Sequence, residues 1–409
     1  MEKWFVVPAL VGPLRSRRPK AALPTYQDGQ ETPRENCFRF VHTCNLRISL
    51  CYSDAPTLPT FFLQIDMTNR HQLPDDFITL AHGNGGRYMR ELIDKLFVHY
   101  LHSSHLDTTV DAARLPIDLQ DGELELMTTT DGFTVEPLEF PGGNIGSLAI
   151  HGTVNDLAVS GATPLYLTLN AFIEEGMEIA LLDRILAGMA EACREAQVSI
   201  VAGDTKVLRR GQGGGIYLAT TGIGVRPAKL RLGVGMAQPG DQILVSGSVG
   251  DHGTAVMLAR EQFGLRGDLQ SDAASVYPIT QALLAIPGLR FMRDPTRGGL
   301  ATVAHDLAKA NYSTVRLFES AIPVKGPVRA VCEMLGYDPL YLASEGRVVA
   351  VLPPEAAEEA LTHLHDRGDK DAAIIGELMP GTTHVVLETR LGGERILEEL
   401  EDDPLPRIC

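Results

Sequence analysis

The sequence predicts an α/β (α+β) protein of two domains followed by an extended tail, and three observations carry that prediction. The chain has 409 residues, and single cores stop growing beyond about 250–300 residues. Short apolar, β-branched runs alternate with runs of helical period from Leu124 to Glu388. Twice a glycine pair heads a helical run near an aspartate: Gly142-Gly143 after Asp131, and Gly298-Gly299 after Asp294.

In the first half, Leu124–Thr130 reads as a strand delivering Asp131 at its end. Asn144 is an N-cap residue type, and Ile145, Leu148 and Ala149 share one helical face after it. A helix start beside a carboxylate offers free backbone N–H groups for a phosphate and its metal. Asn155-Asp156 then supplies an amide and a second carboxylate. Singly, each of these is an ordinary turn, loop or helix end; their order in one segment is the signal. Leu165–Phe172 reads as a strand, Met177–Gln197 as an amphipathic helix, and Val198–Ala202 as a strand ending in Gly203-Asp204-Thr205-Lys206. Asp204 and Lys206 fit two readings equally: a solvated ion pair, or a metal ligand and a proton-handling lysine.

Upstream, Gly83-Asn84-Gly85-Gly86 precedes a helical run carrying Met89, Leu92, Ile93 and Leu96. It matches neither common phosphate-loop pattern, so a plain turn is the alternative to a phosphate cradle. Asp111 is a further carboxylate, with a surface position as its ordinary reading.

The second half begins near Asp241 after a linker over Arg226–Pro239. Arg293-Asp294-Pro295-Thr296-Arg297-Gly298-Gly299 opens a helix, with two arginines able to fork onto phosphate oxygens. Ser344-Glu345-Gly346 precedes an apolar strand. Pro404-Leu405-Pro406-Arg407-Ile408-Cys409 reads as a proline-held arm outside the core. The expected organisation is therefore an extension (1–74), two domains (75–225 and 226–397) and a flexible tail (398–409).

Lys and Arg total 36 against 52 Asp and Glu. An acidic surface argues against nucleic acid or anionic membrane as partner, and a nucleotide would come with Mg²⁺ to bridge like charges. No apolar run approaches the roughly 20 residues of a membrane span, so a soluble, cytoplasmic protein is expected. The six cysteines form no C-x-x-C. Cys193 and Cys332 continue apolar helical stripes and read as packing residues. Residues 1–66 hold seven of the 25 prolines and carry a net +2 against −18 for the remainder. They are expected to be a poorly ordered extension or an artefact of start-site choice, with Met67 as the working start. Pro8 and Pro13 break the apolar run that a signal peptide would need.

T-T-D-G-F, F-P-G-G-N-I-G, G-T-V-N-D-L-A-V-S-G-A-T-P, G-D-T-K-V, R-D-P-T-R-G-G-L, S-E-G and the terminal P-R-I-C, in this order, resemble the HypE family of hydrogenase maturation factors. That family lies within the ATP-binding superfamily of PurM, selenophosphate synthetase and thiamine-monophosphate kinase. The resemblance covers Asp75 to Cys409. It implies a PurM-like two-domain fold whose N-terminal sheets pair in a homodimer, with ATP near that interface. It also implies a self-acting enzyme: Cys409 receives a carbamoyl group from HypF, ATP-dependent dehydration turns it into a thiocyanate, and the cyanide passes to a HypC–HypD complex.

By the same resemblance, Asp111, Asp131, Asp156 and Asp294 are metal and phosphate carboxylates. Gly83, Asn84, Gly85, Gly86, Asn155, Asp204 and Arg297 meet the nucleotide, and Glu345 (as base) and Lys206 face Cys409. The chain departs from the family pattern at Asn84, Gly132, Asp306 and Ser344. A PurM-like kinase or synthetase for a free small molecule, and a non-catalytic nucleotide-binding scaffold, are the alternative functions.

Overall fold

The computed structural model describes residues 38–40, 48–50, 86–92, 94, 109, 113–115, 122–260, 268–401, 405, 407 and 408. Residues 1–70 and 71–409 form separate units. In the first, β1 (Phe38–Phe40) pairs antiparallel with β2 (Ile48–Leu50). The other expectations for the proline-rich extension lie outside the described residues.

The second unit opens with α1 (Arg87–Leu92), β3 (Ala113–Leu115), β4 (Leu124–Phe133), β5 (Glu139–Phe140) and β6 (Gly143–Asn144). There follow α2 (Ile145–Val159), β7 (Thr163–Glu174), α3 (Ile179–Ala196), β8 (Ser199–Leu208) and β9 (Ile216–Pro227). One sheet has the order β3-β4-β9-β7-β8, parallel only between β7 and β8. Along β9 buried and half-buried residues alternate, the period of a strand with one face on a core.

The chain continues with β10 (Gln242–Val245), α4 (Asp251–Ala259), α5 (Tyr277–Leu284), β11 (Phe291–Arg293), α6 (Gly299–Asn311), β12 (Thr314–Phe318) and α7 (Gly326–Leu335). It closes with β13 (Val349–Leu352), α8 (Pro354–Arg367), β14 (Ala373–Met379), β15 (His384–Glu388) and β16 (Glu394–Ile396). A second sheet has the order β11-β13-β10-β14-β12-β15-β16, parallel only between β12 and β15. Its interior strand β13, all four residues buried, has helices over both faces: α6 with one core, α5 and α8 with another.

Helix α2 joins the two halves. Thirteen of its residues are buried, so it is apolar all round rather than amphipathic. Its body packs on β4, β9 and α3, while Ala158 and Val159 enter the core shared by α5 and α8. The segment expected as a linker is also packed, with Val234 and Ala237 buried.

Three expectations are corrected. Strand β4 runs through Asp131 to Phe133, because its ladder with β9 continues to Phe133 opposite Leu218. Strand β8 likewise runs through Asp204 and Lys206, paired with Asn170 and Phe172. The arm before Cys409 does join the core. Leu405 and Ile408 are buried with residues of α4 and α7, each apolar side chain contributing roughly 1.5–3 kcal/mol.

Candidate active site

The site lies where the first sheet and α2 meet two loops of the second half. Asp131 projects from β4 and accepts from the Arg297 guanidinium at 3.0 Å and from the Gly132 N–H at 2.7 Å. Burial pushes the Asp131 carboxyl up, and Arg297 opposes that shift. Arg297 is placed by the glycine pair after it. Gly298 and Gly299 have φ of 72° and 58°, a region that side chains disfavour. A Cβ on Gly299 would stand 2.6 Å from the carbonyl oxygens of Leu340 and Leu342. Arg293, at the end of β11, is held by Asp306 at 2.8 Å and by the Thr109 carbonyl at 2.7 Å.

Glu345 is only 2% exposed. Its backbone is clamped: its N–H donates to Asp272 at 3.2 Å and its carbonyl accepts from Asn155 at 3.1 Å. The next residue must be glycine, because a Cβ on Gly346 would lie 1.9 Å from the Asp272 carbonyl oxygen. The side chain is held differently, since Glu345 Oε1 is buried with no hydrogen-bond partner among the described residues. Burial, then Asp294, Asp272 and Asp131, push its carboxyl well above the ordinary range, with Arg297 opposing. Asp294, Asp131 and Arg297, drawn from both halves, thus act electrostatically on Glu345.

Asn155 is wholly buried and fully engaged: its amide donates to Ala274 and Glu345 carbonyls and accepts from the Val276 N–H at 2.8 Å. It braces two loops. Asp156 accepts from the Thr129 hydroxyl at 2.8 Å. Asp204 and Lys206, two apart on one strand and so on one face, pair at 2.9 Å on the exposed edge strand β8. Of their two sequence readings, the chain displays the ion pair. Gly86 abuts the segment before the tail, where a Cβ would meet the Leu400 and Glu401 carbonyls at 2.8 Å. Gly83, Asn84, Gly85, Asp111 and Cys409 lie outside the described residues.

The start of α2 is not a free anion seat. Asn144 caps it as expected, but its side chain takes the Gly146 and Ser147 N–H groups at 2.9 and 3.0 Å, and Ile145 N–H donates to Leu138. The two cysteines read as packing residues are packed, and burial pushes the Cys332 thiol up to about 11.

No three His, Cys, Asp or Glu side chains among the described residues come close enough to hold a metal. Glu345 and Asp294 are buried carboxylates with Asp131 beside them and Arg297 opposing. That oxygen-rich excess of negative charge suits Mg²⁺, which binds through one or two carboxylates with phosphate and water completing its shell.

Sequence reasoning missed a second set of residues. Gly250-Asp251-His252-Gly253 heads α4, and His252 contacts the Ile408 carbonyl at 2.9 Å and the Ser271 hydroxyl at 2.8 Å. Asp251, fully buried, meets Lys325 at 2.6 Å and Arg347 at 3.4 Å. A glycine-flanked Asp-His at a helix start was the available signal.

Fold and cleft together define an AIR synthase related protein. The N-terminal domain of that class matches residues 110–226 and the C-terminal domain residues 238–387. Carbamoyl dehydratase HypE of Azotobacter vinelandii is 45% identical over 345 residues, which is 83% of this chain and 100% of that protein. A solved HypE–HypF complex matches at 41% identity and a TM-score of 0.70, covering 75% of this chain and 99% of that one. A solved HypE in complex with ATP matches at 42% identity and a TM-score of 0.67, covering 81% and 100%. The chain belongs to the HypE family of carbamoyl dehydratases, as the ordered motifs implied.

Proposed function

We propose that this protein acts on its own C-terminus, dehydrating a carbamoyl group carried on Cys409 to a thiocyanate with ATP, for assembly of a [NiFe] hydrogenase site. One observation carries the reading. The residues just before Cys409 are docked: Leu405 and Ile408 are buried, and the Ile408 carbonyl is bonded to the protein body. A docked tail is superfluous to a kinase for a free small molecule, and a buried Glu345 whose Oε1 has no partner among the described residues is superfluous to a scaffold.

A thiocarbamate oxygen is a poor leaving group. Bound ATP with Mg²⁺ supplies the phosphoryl group that makes it a good one. The oxygen then departs with phosphate, two N–H protons are lost, and S–C≡N remains. One or two of Asp131, Asp156 and Asp294 would hold the cation, with phosphate oxygens and water completing its shell, and Arg297 would steady phosphate oxygens by a forked contact. Glu345 is the base for the amide protons; its raised proton affinity matches that task.

Lys206 sits on an edge strand that exposes Ile200, Val201 and Val207. Pairing of two such sheets in a homodimer would cover those side chains and give Lys206 a second neighbour for charge stabilisation and proton relay. A HypF-type carbamoyltransferase would load Cys409, and a HypC–HypD complex would accept the cyanide.

The test is Cys409→Ala. The variant is expected to bind ATP as wild type does and to yield no cyanide-bearing product with a carbamoyl donor; product formed by this variant would refute the reading.

A further inference from the structure

Four polar contacts and two buried side chains hold Leu405, Arg407 and Ile408, close before the terminal cysteine. Leu405 is 2% exposed and Ile408 5%. Arg407, at a φ of 58°, offers its carbonyl to the Glu136 N–H at 3.1 Å and to Arg260 Nη2 at 2.9 Å, while its guanidinium pairs with the Glu136 carboxylate at 3.0 Å. The Ile408 carbonyl, on the peptide that joins Cys409, has His252 Nε2 at 2.9 Å. The partners of His252 settle its tautomer. A carbonyl only accepts, so Nε2 carries the proton. Ser271 Oγ accepts from the Ala273 N–H at 3.0 Å, which leaves its own proton to donate to Nδ1 at 2.8 Å. The Phe140 ring stands T-shaped to the imidazole, with centroids 5.3 Å apart.

The same elements grip Glu345. Asp272, next to Ser271, accepts from the N–H groups of Glu345 and Gly346. Gly250, two residues before His252, donates to the Ser344 hydroxyl at 2.9 Å, and Gly253 donates to the Ala343 carbonyl at 3.0 Å. Arg347 ties Asp251 to Asp272, at 3.4 Å from each.

We infer that His252 is a positioning residue that seats the tail through the Ile408 carbonyl, and that its loop and the Ser271-Asp272 loop hold that seat in register with Glu345. The inference rests on the reading that Cys409 carries the reacting group. Burial holds the imidazole neutral, with its pKa pushed down to about 4, which suits a tautomer that accepts from Ser271 and donates to Ile408.

The full-length protein and its His252→Ala, His252→Gln and Ser271→Ala variants test this by two measurements. The first is release of C-terminal residues by a carboxypeptidase, which requires no reaction at Cys409. The second compares single-turnover rates of carbamoyl loading and of dehydration. Loss of one buried hydrogen bond corresponds to about a tenfold change. His252→Ala is therefore expected to speed C-terminal release about tenfold and slow dehydration by a similar factor, with loading not slowed, because loading uses the undocked tail. His252→Gln restores a donor to Ile408 and is expected to recover most of both effects, and Ser271→Ala to show a weaker change in the same direction. Release at the wild-type rate in both His252→Ala and Ser271→Ala overturns the seat. Faster release with unchanged dehydration overturns the positioning role. If wild type itself performs no dehydration, the proposed function fails while the release measurement still decides the seat.

Discussion

Asp131 and Arg297 stand 166 positions apart in the chain, one on a strand of the first half and one on a loop of the second, and meet at 3.0 Å. Their pairing links the two halves and brings a countercharge that opposes the elevated Glu345 carboxyl. Both side chains are about 30% exposed, so the pair contributes little to stability, roughly 1 kcal/mol or less.

Arg297→Ala is accordingly expected to fold with a nearly unchanged melting temperature. Its ATP-dependent dehydration is expected to fall by about 10²–10³-fold, the loss typical of removing a preorganised group from developing charge. Single-turnover kinetics beside a thermal melt check this; a large drop in melting temperature with the rate intact would contradict it.

Glu345→Gln separates stability from activity. The folded carboxyl has a pKa raised above its unfolded value. Its contribution to stability is therefore fully present below the unfolded pKa and is lost as pH rises through the folded pKa. Without added metal or nucleotide, the Gln variant is expected to be the more stable protein at neutral and higher pH, and to lose about 10²–10⁴-fold in dehydration rate. Denaturant melts across pH check the first claim; a Gln variant less stable than wild type at neutral pH would count against it.

His151, 5% exposed in α2, is pushed down to about 4 by burial, and its Nδ1 has no hydrogen-bond partner among the described residues. The unfolded imidazole takes up a proton near its ordinary pKa, and the folded one does so only much lower. Stability is thus complete above about pH 6.5 and falls as pH drops toward 4, by on the order of 3 kcal/mol. His151→Leu is expected to flatten that part of the acid limb in urea titrations; an unchanged limb would place the imidazole in a solvated position.

The edge strand β8 offers a test of assembly. Val201 and Val207 are 56% and 71% exposed there. Val201→Lys and Val207→Lys put charge on an edge that pairing would cover. Sedimentation equilibrium is expected to show a wild-type dimer and a monomeric double variant. A double variant that stays dimeric would place the interface elsewhere.

Local rules made much of this legible. The Asn144 cap and the glycine pair at the start of α6 follow from residue type and spacing, and the ordered motifs carry the family. Strand ends at Asp131 and Asp204 are not legible locally, because ladder pairing with a distant strand, and not local composition, decides where a strand stops. The resemblance implies a nucleotide contact for Asn155, whereas its partners in the structure are backbone groups more than a hundred positions away. The prolines of the tail point to a solvated arm; what holds it is His252, Arg260 and Glu136, none of them near it in sequence.

Intact mass spectrometry reads the central claim directly. Wild-type protein loaded by a carbamoyl donor is expected to lose the mass of one water when ATP and Mg²⁺ are added, with the change mapped to the peptide ending in Cys409. A loaded protein whose mass stays fixed while ATP is consumed would contradict it.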